Sequence, residues 1–155
     1  MTQFMLRAIN SASQGIKLNN GGPFGACIVK NSKVLAVAHN QVLKNQDPTC
    51  HAEIQAIRAA SKKLKSFDLS GCEIYSTTEP CPMCFSAIHW ARISKVIYGT
   101  SISDVARRGF NELTISNDML KKAGKLKIQI QKGFERKTCL DLLKKWDSLE
   151  FKRTY

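Results

Sequence analysis

The stretch that decides the fold is CEIYSTTEPCPMC, residues 72–84. A strand is predicted over residues 72–77, after the turn residue Gly71, and a short helix over 81–92. A C-x-x-C sequence therefore begins the helix. Cysteines three positions apart at a helix N-terminus direct their sulfurs the same way, and the positive end of the helix dipole favours the metal-binding thiolate.

Thirty residues upstream of Cys81, the sequence His51-Ala52-Glu53 begins a second predicted helix, over residues 51–64. His51, Cys81 and Cys84 form a three-ligand set that leaves the fourth tetrahedral position to water, which is typical of catalytic zinc. Glu53 lies beside the metal without having to bind it, and can take up and deliver protons. This H-x-E and P-C-x-x-C pattern is typical of zinc deaminases.

Other interpretations of these residues stay open. Cys81 and Cys84 could form a thioredoxin-like redox pair, although this leaves the His-x-Glu segment without a role. A structural zinc site would need a fourth protein ligand, for which His39, Cys50 and His89 are the candidates. A zinc-stabilised interaction module would need no acid beside the metal.

The remaining pattern predicts alternating helices and strands in a single domain, residues 1–155. A first helix with apolar residues at helical spacing precedes a hairpin of strands 25–30 and 34–39, joined by Asn31-Ser32. Further strands are predicted over 95–99 and 126–130, and a closing helix over 135–151. The fold class is α/β, a three-layer α-β-α sandwich on a five-stranded mixed sheet.

Composition bounds the function classes. The 155 residues are 43% hydrophobic, and no apolar run is long enough for a membrane span. Without a recognisable secretory signal, the protein is expected in the cytoplasm, with its six cysteines as thiols or metal ligands. The net charge of +12 includes eleven basic and four acidic residues in 121–155. This basic tail could contact RNA, or could be a solvated lysine-rich surface.

The chain resembles the cytidine-deaminase superfamily, and within it the guanine deaminase branch, over almost its whole length. The resemblance rests on segments spread along the sequence: Gly21-Gly22-Pro23-Phe24-Gly25-Ala26, Asp47-Pro48-Thr49 before His51-Ala52-Glu53, Ala56-Ile57-Arg58, Glu79-Pro80-Cys81-Pro82-Met83-Cys84, Ala87-Ile88 with Trp90-Ala91-Arg92, Gly109-Phe110 and Tyr155. It implies a cytidine-deaminase-like fold.

The resemblance also implies one Zn²⁺ per subunit, bound by His51, Cys81 and Cys84, with Glu53 as the proton shuttle. It implies a substrate pocket formed by Asn40, Phe24, Ala52, Trp90, Glu112 and Tyr155. The aromatic residues Phe24 and Trp90 are equally compatible with core packing. Asn40 could be a turn residue, and Glu112, which stands where the branch has Asp, could be a solvated loop acid.

Three substrate classes follow from the resemblance. The first hypothesis is deamination of a purine base or nucleoside, guanine to xanthine plus ammonia. The second is a transfer-RNA adenosine deaminase that converts adenosine to inosine, and the third acts on cytosine or another nucleobase. Members of the branch are commonly homodimers that exchange a C-terminal segment, here about residues 135–155. The apolar face of the closing helix fits a segment that must dock.

Overall fold

Five strands form one mixed sheet in the computed structural model, which describes residues 3–155. The strands are β1 Gly25–Lys30, β2 Lys33–His39, β3 Cys72–Thr78, β4 Lys95–Thr100 and β5 Gln129–Gln131. The helices are α1 Gln3–Lys17, α2 Val42–Asn45, α3 Ala52–Leu64, α4 Pro82–Trp90, α5 Ile102–Ala106, α6 Asn117–Ala123 and α7 Arg136–Asp147.

The sheet has the strand order β2-β1-β3-β4-β5. Strand β1 is antiparallel to both of its neighbours, whereas β3, β4 and β5 run parallel to one another. Asn31 and Ser32 both adopt positive φ angles, 49° and 59°, as a tight turn between twisted strands requires. The predicted five-stranded mixed sheet and its hairpin are confirmed.

Helices cover both faces of the sheet. On one face α3 and α4 pack against alternate strand residues that include Ile28 and Ile74. On the other face α1 and α7 pack against the intervening residues, such as Cys27 and Tyr75. Because successive strand residues point to opposite faces, this alternation confirms the three-layer sandwich. The chain thus leaves β3 directly into α4 on the face that also carries α3.

Most differences from the sequence-based expectation lie in the second half of the chain, where α7 also ends at Asp147 rather than at residue 151; in the first half, the four-residue helix α2 was not predicted. Strand β5 covers only Gln129–Gln131 and begins three residues later than expected. The short helices α5 and α6 were not predicted, because five and seven residues are too few for a helical period to emerge. None of the helices within residues 3–155 combines the length and the apolar character needed to cross a membrane.

A buried carboxylate joins α5 to α7. The Asp104 side chain, only 4% exposed, accepts hydrogen bonds from Arg136 Nη1 at 2.6 Å, from Arg107 Nη2 at 2.6 Å and from Ser101 N at 2.9 Å. The Arg136 guanidinium holds the pKa of this carboxyl well below its usual range. Asp104 therefore ties the C-terminal helix to the body of the domain.

We expect Asp104→Asn to lower the free energy of unfolding by roughly 1–2 kcal/mol, since it removes the buried anion that two partly exposed arginines and the Ser101 backbone share. A depressed folded pKa stabilises the protein fully above the ordinary carboxyl pKa of about 4; this contribution declines below that value and is lost as the pH falls through the folded pKa. Urea unfolding at pH 7 and pH 3 measures both effects. The difference between wild type and variant should shrink at pH 3; an equal difference at both pH values would contradict the assignment.

Candidate active site

The three candidate metal ligands lie at the N-termini of two helices on the same face of the sheet. His51 is the N-cap residue of α3 and Cys81 that of α4, both with extended backbone angles, and Cys84 lies in the first turn of α4. His51 Nδ1 lies 3.6 Å from Cys81 Sγ and 3.6 Å from Cys84 Sγ. The three donor atoms lie within 4.8 Å of one another.

These distances fit a tetrahedral zinc ion. Zinc bonds of the usual length to nitrogen and sulfur, at a tetrahedral angle, place those two atoms about 3.5 Å apart. Within residues 3–155, one group of histidine, cysteine and acidic side chains has its donor atoms close enough together to hold a metal ion. It consists of His51, Cys81 and Cys84. One nitrogen and two sulfurs are a donor set that zinc prefers, so the residues present fit the ion.

None of the three candidates for a fourth ligand joins the cluster. The His39 ring is held by Ser11 Oγ at 3.2 Å and by Asn20 Nδ2 at 2.9 Å, and Cys50 Sγ donates to Asp47 Oδ2 at 3.2 Å. His89 is exposed in the last turn of α4. The arrangement therefore matches an open, catalytic type of zinc site rather than a closed structural one.

The two thiols differ in acidity in the protein itself. The pKa of Cys81 is lowered to about 4, because the Cys84 thiol and then the His51 ring donate hydrogen bonds to its sulfur. The same thiol–thiol bond and its burial raise the pKa of Cys84. Cys81 is thus the more acidic of the two ligands, and metal binding requires both thiols to give up their protons.

Glu53 lies beside the ligands and is buried, with 6% of its surface exposed. Ser76 Oγ donates to its Oε1 at 2.9 Å, and Cys84 Sγ lies 3.5 Å from its Oε2. Burial raises the pKa of this carboxyl above its ordinary value. A carboxyl group with a raised pKa, directly beside a metal site, is suited to carrying protons.

A cavity of about 320 Å³ opens in front of the ligands. Phe24, Val42 and Phe110 supply apolar walls, while Glu53 and Glu112 supply carboxylates. The rings of Phe24 and Phe110 meet edge-on, with centroids 5.1 Å apart. Burial, followed by the negative charge of Cys81, raises the pKa of Glu112 to about 7.

The C-terminal residue closes one side of this cavity. The Tyr155 hydroxyl donates to Asn40 Oδ1 at 2.5 Å and accepts from Gly22 N at 2.9 Å, while Asn111 N donates to Tyr155 O at 3.0 Å. A Cβ atom at Gly22 would lie 2.6 Å from the Phe24 ring, so the close approach requires glycine. The Asn40 side chain is fully buried, and its Nδ2 has no partner within residues 3–155.

The structure brings most of the sequence-predicted residues together, whereas Asn40, Ala52 and Trp90 are not among the residues that line the cavity of this chain. Trp90 is 79% exposed and does not line the cavity, because eight residues separate it from Pro82 and place it about 12 Å further along α4. The Ala52 side chain packs in the core between α3 and the sheet, since it follows His51 on the buried side of the helix.

Several residues around the site were not singled out from the sequence. Ser76, Glu79 and Asn117 are buried polar residues whose partners are distant in sequence. Glu79 accepts from Ile102 N and Asn117 N, at the starts of α5 and α6, and Asn117 Nδ2 donates to Pro80 O at 2.6 Å. The sequence signal that could have identified them was the presence of polar residues at the end of a strand whose other residues are buried.

Comparisons with known proteins agree with this geometry. The profile of the family described as "Cytidine and deoxycytidylate deaminase zinc-binding region" matches residues 1–100. Guanine deaminase of Bacillus subtilis is 43% identical over 120 residues, 77% of each chain. The transfer-RNA-specific adenosine deaminase of Aquifex aeolicus is 49% identical over 76 residues, 49% of this chain and 50% of that protein. A solved structure of guanine deaminase from Nitrosomonas europaea covers 94% of this chain and 84% of its own, with a TM-score of 0.86 at 26% identity.

Proposed function

Because the chain belongs to the cytidine and deoxycytidylate deaminase zinc-binding family, and is a zinc-dependent aminohydrolase, we propose that it hydrolyses guanine to xanthine and ammonia. The observation that carries this proposal is a pair of polar groups, one that lines the cavity and one directly behind its wall. Glu112 lines the cavity with a carboxyl group, and Asn40, bonded to the lining residue Tyr155, has a buried amide donor without a partner within residues 3–155. Guanine presents adjacent N–H groups and a carbonyl oxygen, which complement an acceptor and a donor.

The cavity also suits a single planar base. Its volume of about 320 Å³ is at the small end of ligand pockets, and its walls include the edge-packed rings of Phe24 and Phe110. A free base is small enough to be enclosed there. We infer that Phe24 packs against the ring, while Glu112 and Asn40 fix its orientation.

The chemistry follows from the residues around the ligands. Zinc, when bound by His51, Cys81 and Cys84, supplies a water acidic enough to act as a nucleophile at neutral pH. Glu53 accepts a proton and delivers it to ring atom N3, next to the carbon that is attacked. Glu53 then moves the second proton of the added water from its oxygen to the exocyclic nitrogen; the bond from the ring carbon to that nitrogen breaks, the carbonyl of xanthine forms, and ammonia leaves. One water is consumed, and Glu53 returns to its starting state.

An ammonia-release assay tests the substrate directly. We expect the purified zinc-loaded protein to release ammonia from guanine, and to do so faster than from guanosine, cytosine or adenine. Xanthine formation, followed by its absorbance, provides a second readout. Release of ammonia from another base with none from guanine or guanosine would contradict the assignment of substrate while leaving the aminohydrolase intact.

We expect Glu112→Gln to raise the KM for guanine about tenfold or more, because an amide leaves one of the two N–H groups of the base facing another donor. Glu112→Asp is the matched variant, since it keeps the carboxylate and changes only its reach. Initial rates over a range of guanine concentrations separate KM from kcat. Equal KM values for wild type and Glu112→Gln would remove Glu112 from substrate recognition.

A second candidate substrate is adenosine in transfer RNA. It is favoured by the identity to the adenosine deaminase of Aquifex aeolicus and by the excess of seven positive charges in residues 121–155, eleven basic less four acidic. Phosphate contacts of this kind weaken steeply with added salt. Adenosine-to-inosine conversion in anticodon-arm RNA, measured at 50 and 200 mM salt, would support this candidate if it proceeds and is strongly salt-dependent.

We further propose that the protein is a cytoplasmic homodimer in which the C-terminal segment, about residues 135–155, docks on the partner. Helix α7 buries Leu142, Leu143 and Trp146, and exposed residues 150–153 join it to Tyr155 at the cavity. In the single chain these contacts are intramolecular, and exchange would preserve them between subunits. Light scattering that finds a monomer at micromolar concentration, or secretion from cells, would contradict the respective part.

A further inference from the structure

We propose that Ser76 is a positioning residue, whose hydroxyl holds the Glu53 carboxylate in the orientation that carries protons. Ser76 is 2% exposed, in the last part of β3, and its Oγ donates to Glu53 Oε1 at 2.9 Å. This inference rests on the role of Glu53 given above. It does not depend on which base is deaminated.

The Ser76 hydroxyl is a polar group at a core position of the sheet. In β3 the residues Ile74 and Ser76 share the face that packs against α3 and α4, and Ala26 of β1 and Tyr98 of β4 are its cross-strand neighbours. These are core positions, where a hydroxyl without a partner costs about 1–3 kcal/mol. Ser76 meets this requirement through its bond to Glu53, which is the sole side-chain bond described for it within residues 3–155.

The two oxygens of Glu53 thereby acquire different surroundings. Oε1 is fixed by Ser76, whereas Oε2 faces the ligand cluster, 3.5 Å from Cys84 Sγ. A proton carried on Oε2 leaves Oε1 free to accept from the serine. The bond between Ser76 and Glu53 is therefore compatible with both protonation states, so the carboxyl group keeps its orientation throughout the reaction.

Without the hydroxyl, the carboxylate can rotate, and the fraction of molecules with Oε2 directed at the reacting centre falls. A misplaced catalytic group lowers kcat, whereas the binding of the substrate is little affected. We expect Ser76→Ala to lower kcat about 10- to 30-fold with KM within twofold of wild type. Ser76→Thr keeps the hydroxyl and should retain kcat within about threefold.

The experiment measures kcat, KM and zinc content of both variants on whichever amino-substituted base the wild type deaminates. If guanine fails as a substrate, the result on another base still decides the role of Ser76. Thr77→Val is the matched control: Thr77 is the next residue of β3, buried on the opposite face, and its Oγ1 accepts from Gly25 N at 3.1 Å. It should leave kcat unchanged.

A crystal structure of Ser76→Ala gives a readout that is independent of turnover. We expect the ligands His51, Cys81 and Cys84 in place, and the Glu53 carboxylate rotated or in more than one conformation. An unmoved Glu53 together with an unchanged kcat would overturn the proposal. So would an equal loss of kcat in Thr77→Val, or a loss in Ser76→Thr as large as in Ser76→Ala.

Discussion

We expect the Glu53→Gln variant to bind one zinc ion and to have a kcat about 10⁴-fold below that of the wild type. This is the first of two large effects. The glutamine keeps the size of the side chain and an oxygen that can accept from Ser76 Oγ, so the site retains its shape. It cannot take up or release a proton, which removes general acid–base catalysis, a contribution of about 10²–10⁴-fold.

Two controls make this result specific to the proton. Zinc content, measured by elemental analysis, should equal that of the wild type, because the carboxylate is not a member of the ligand group. Glu73→Gln, on the same strand as Ser76 but outside the cavity, should leave kcat unchanged. Activity of Glu53→Gln within tenfold of the wild type would exclude Glu53 as the proton carrier.

The second large effect is that of Cys84→Ala, which we expect to weaken zinc binding strongly and to abolish deamination. Cys84 is fully buried, and its sulfur lies 3.6 Å from His51 Nδ1. Removal of one of three ligands weakens zinc binding by roughly 10²–10³-fold, if structural-zinc affinities divide evenly among their ligands. Thermal unfolding should also occur at lower temperature, since zinc binds only to the folded site.

Cys50→Ser is the matched control for Cys84→Ala. Cys50 directly precedes the ligand His51 in sequence and is also buried, but its sulfur bonds to Asp47 Oδ2 and Asn45 Nδ2 rather than to the ligand cluster. Serine can make the same bonds, so zinc content and activity should be retained. A zinc affinity equal to that of the wild type in Cys84→Ala, or the loss of zinc in Cys50→Ser, would contradict the ligand assignment.

The sheet and the ligand cluster could be predicted from the sequence because both depend on local patterns. Strand β1 was predicted with the bounds that the structure shows, and β2, β3 and β4 to within one residue at each end. The spacing of Cys81 and Cys84 at a helix start, and of His51 and Glu53 at another, is fixed within single elements. Only the meeting of the two helix starts depends on tertiary structure.

The parts that the sequence did not predict depend on contacts between distant segments. Ser76 meets Glu53 across 23 positions, and Glu79 meets Asn117 across 38. The pattern of residues in a strand does not show whether a serine hydroxyl donates to a distant carboxylate or simply lies near the end of the strand. The exposure of Trp90 was not predicted for a similar reason, since the resemblance of its segment to a motif does not specify which way the end of α4 faces within the chain.

The fold explains why this combination of residues can act together. The loop after β3 and the start of α3 lie over the same face of the sheet, and each presents an N-terminal helix turn to the cavity. The buried carboxylate of Glu79 holds the starts of α5 and α6 against the loop that carries Cys81. Glu112 lies five residues before Asn117, so the segment that follows Glu112 is anchored at Asn117.

The central claim is that three side chains bind one zinc ion while an acid beside them remains unbound. A crystal structure of the zinc-loaded protein, with an anomalous-scattering map at the zinc edge, tests it most directly. We predict one peak within bonding distance of His51 Nδ1, Cys81 Sγ and Cys84 Sγ, with the Glu53 carboxylate outside bonding distance. A map without a peak there, or with a fourth side chain bound to the metal, would contradict the account.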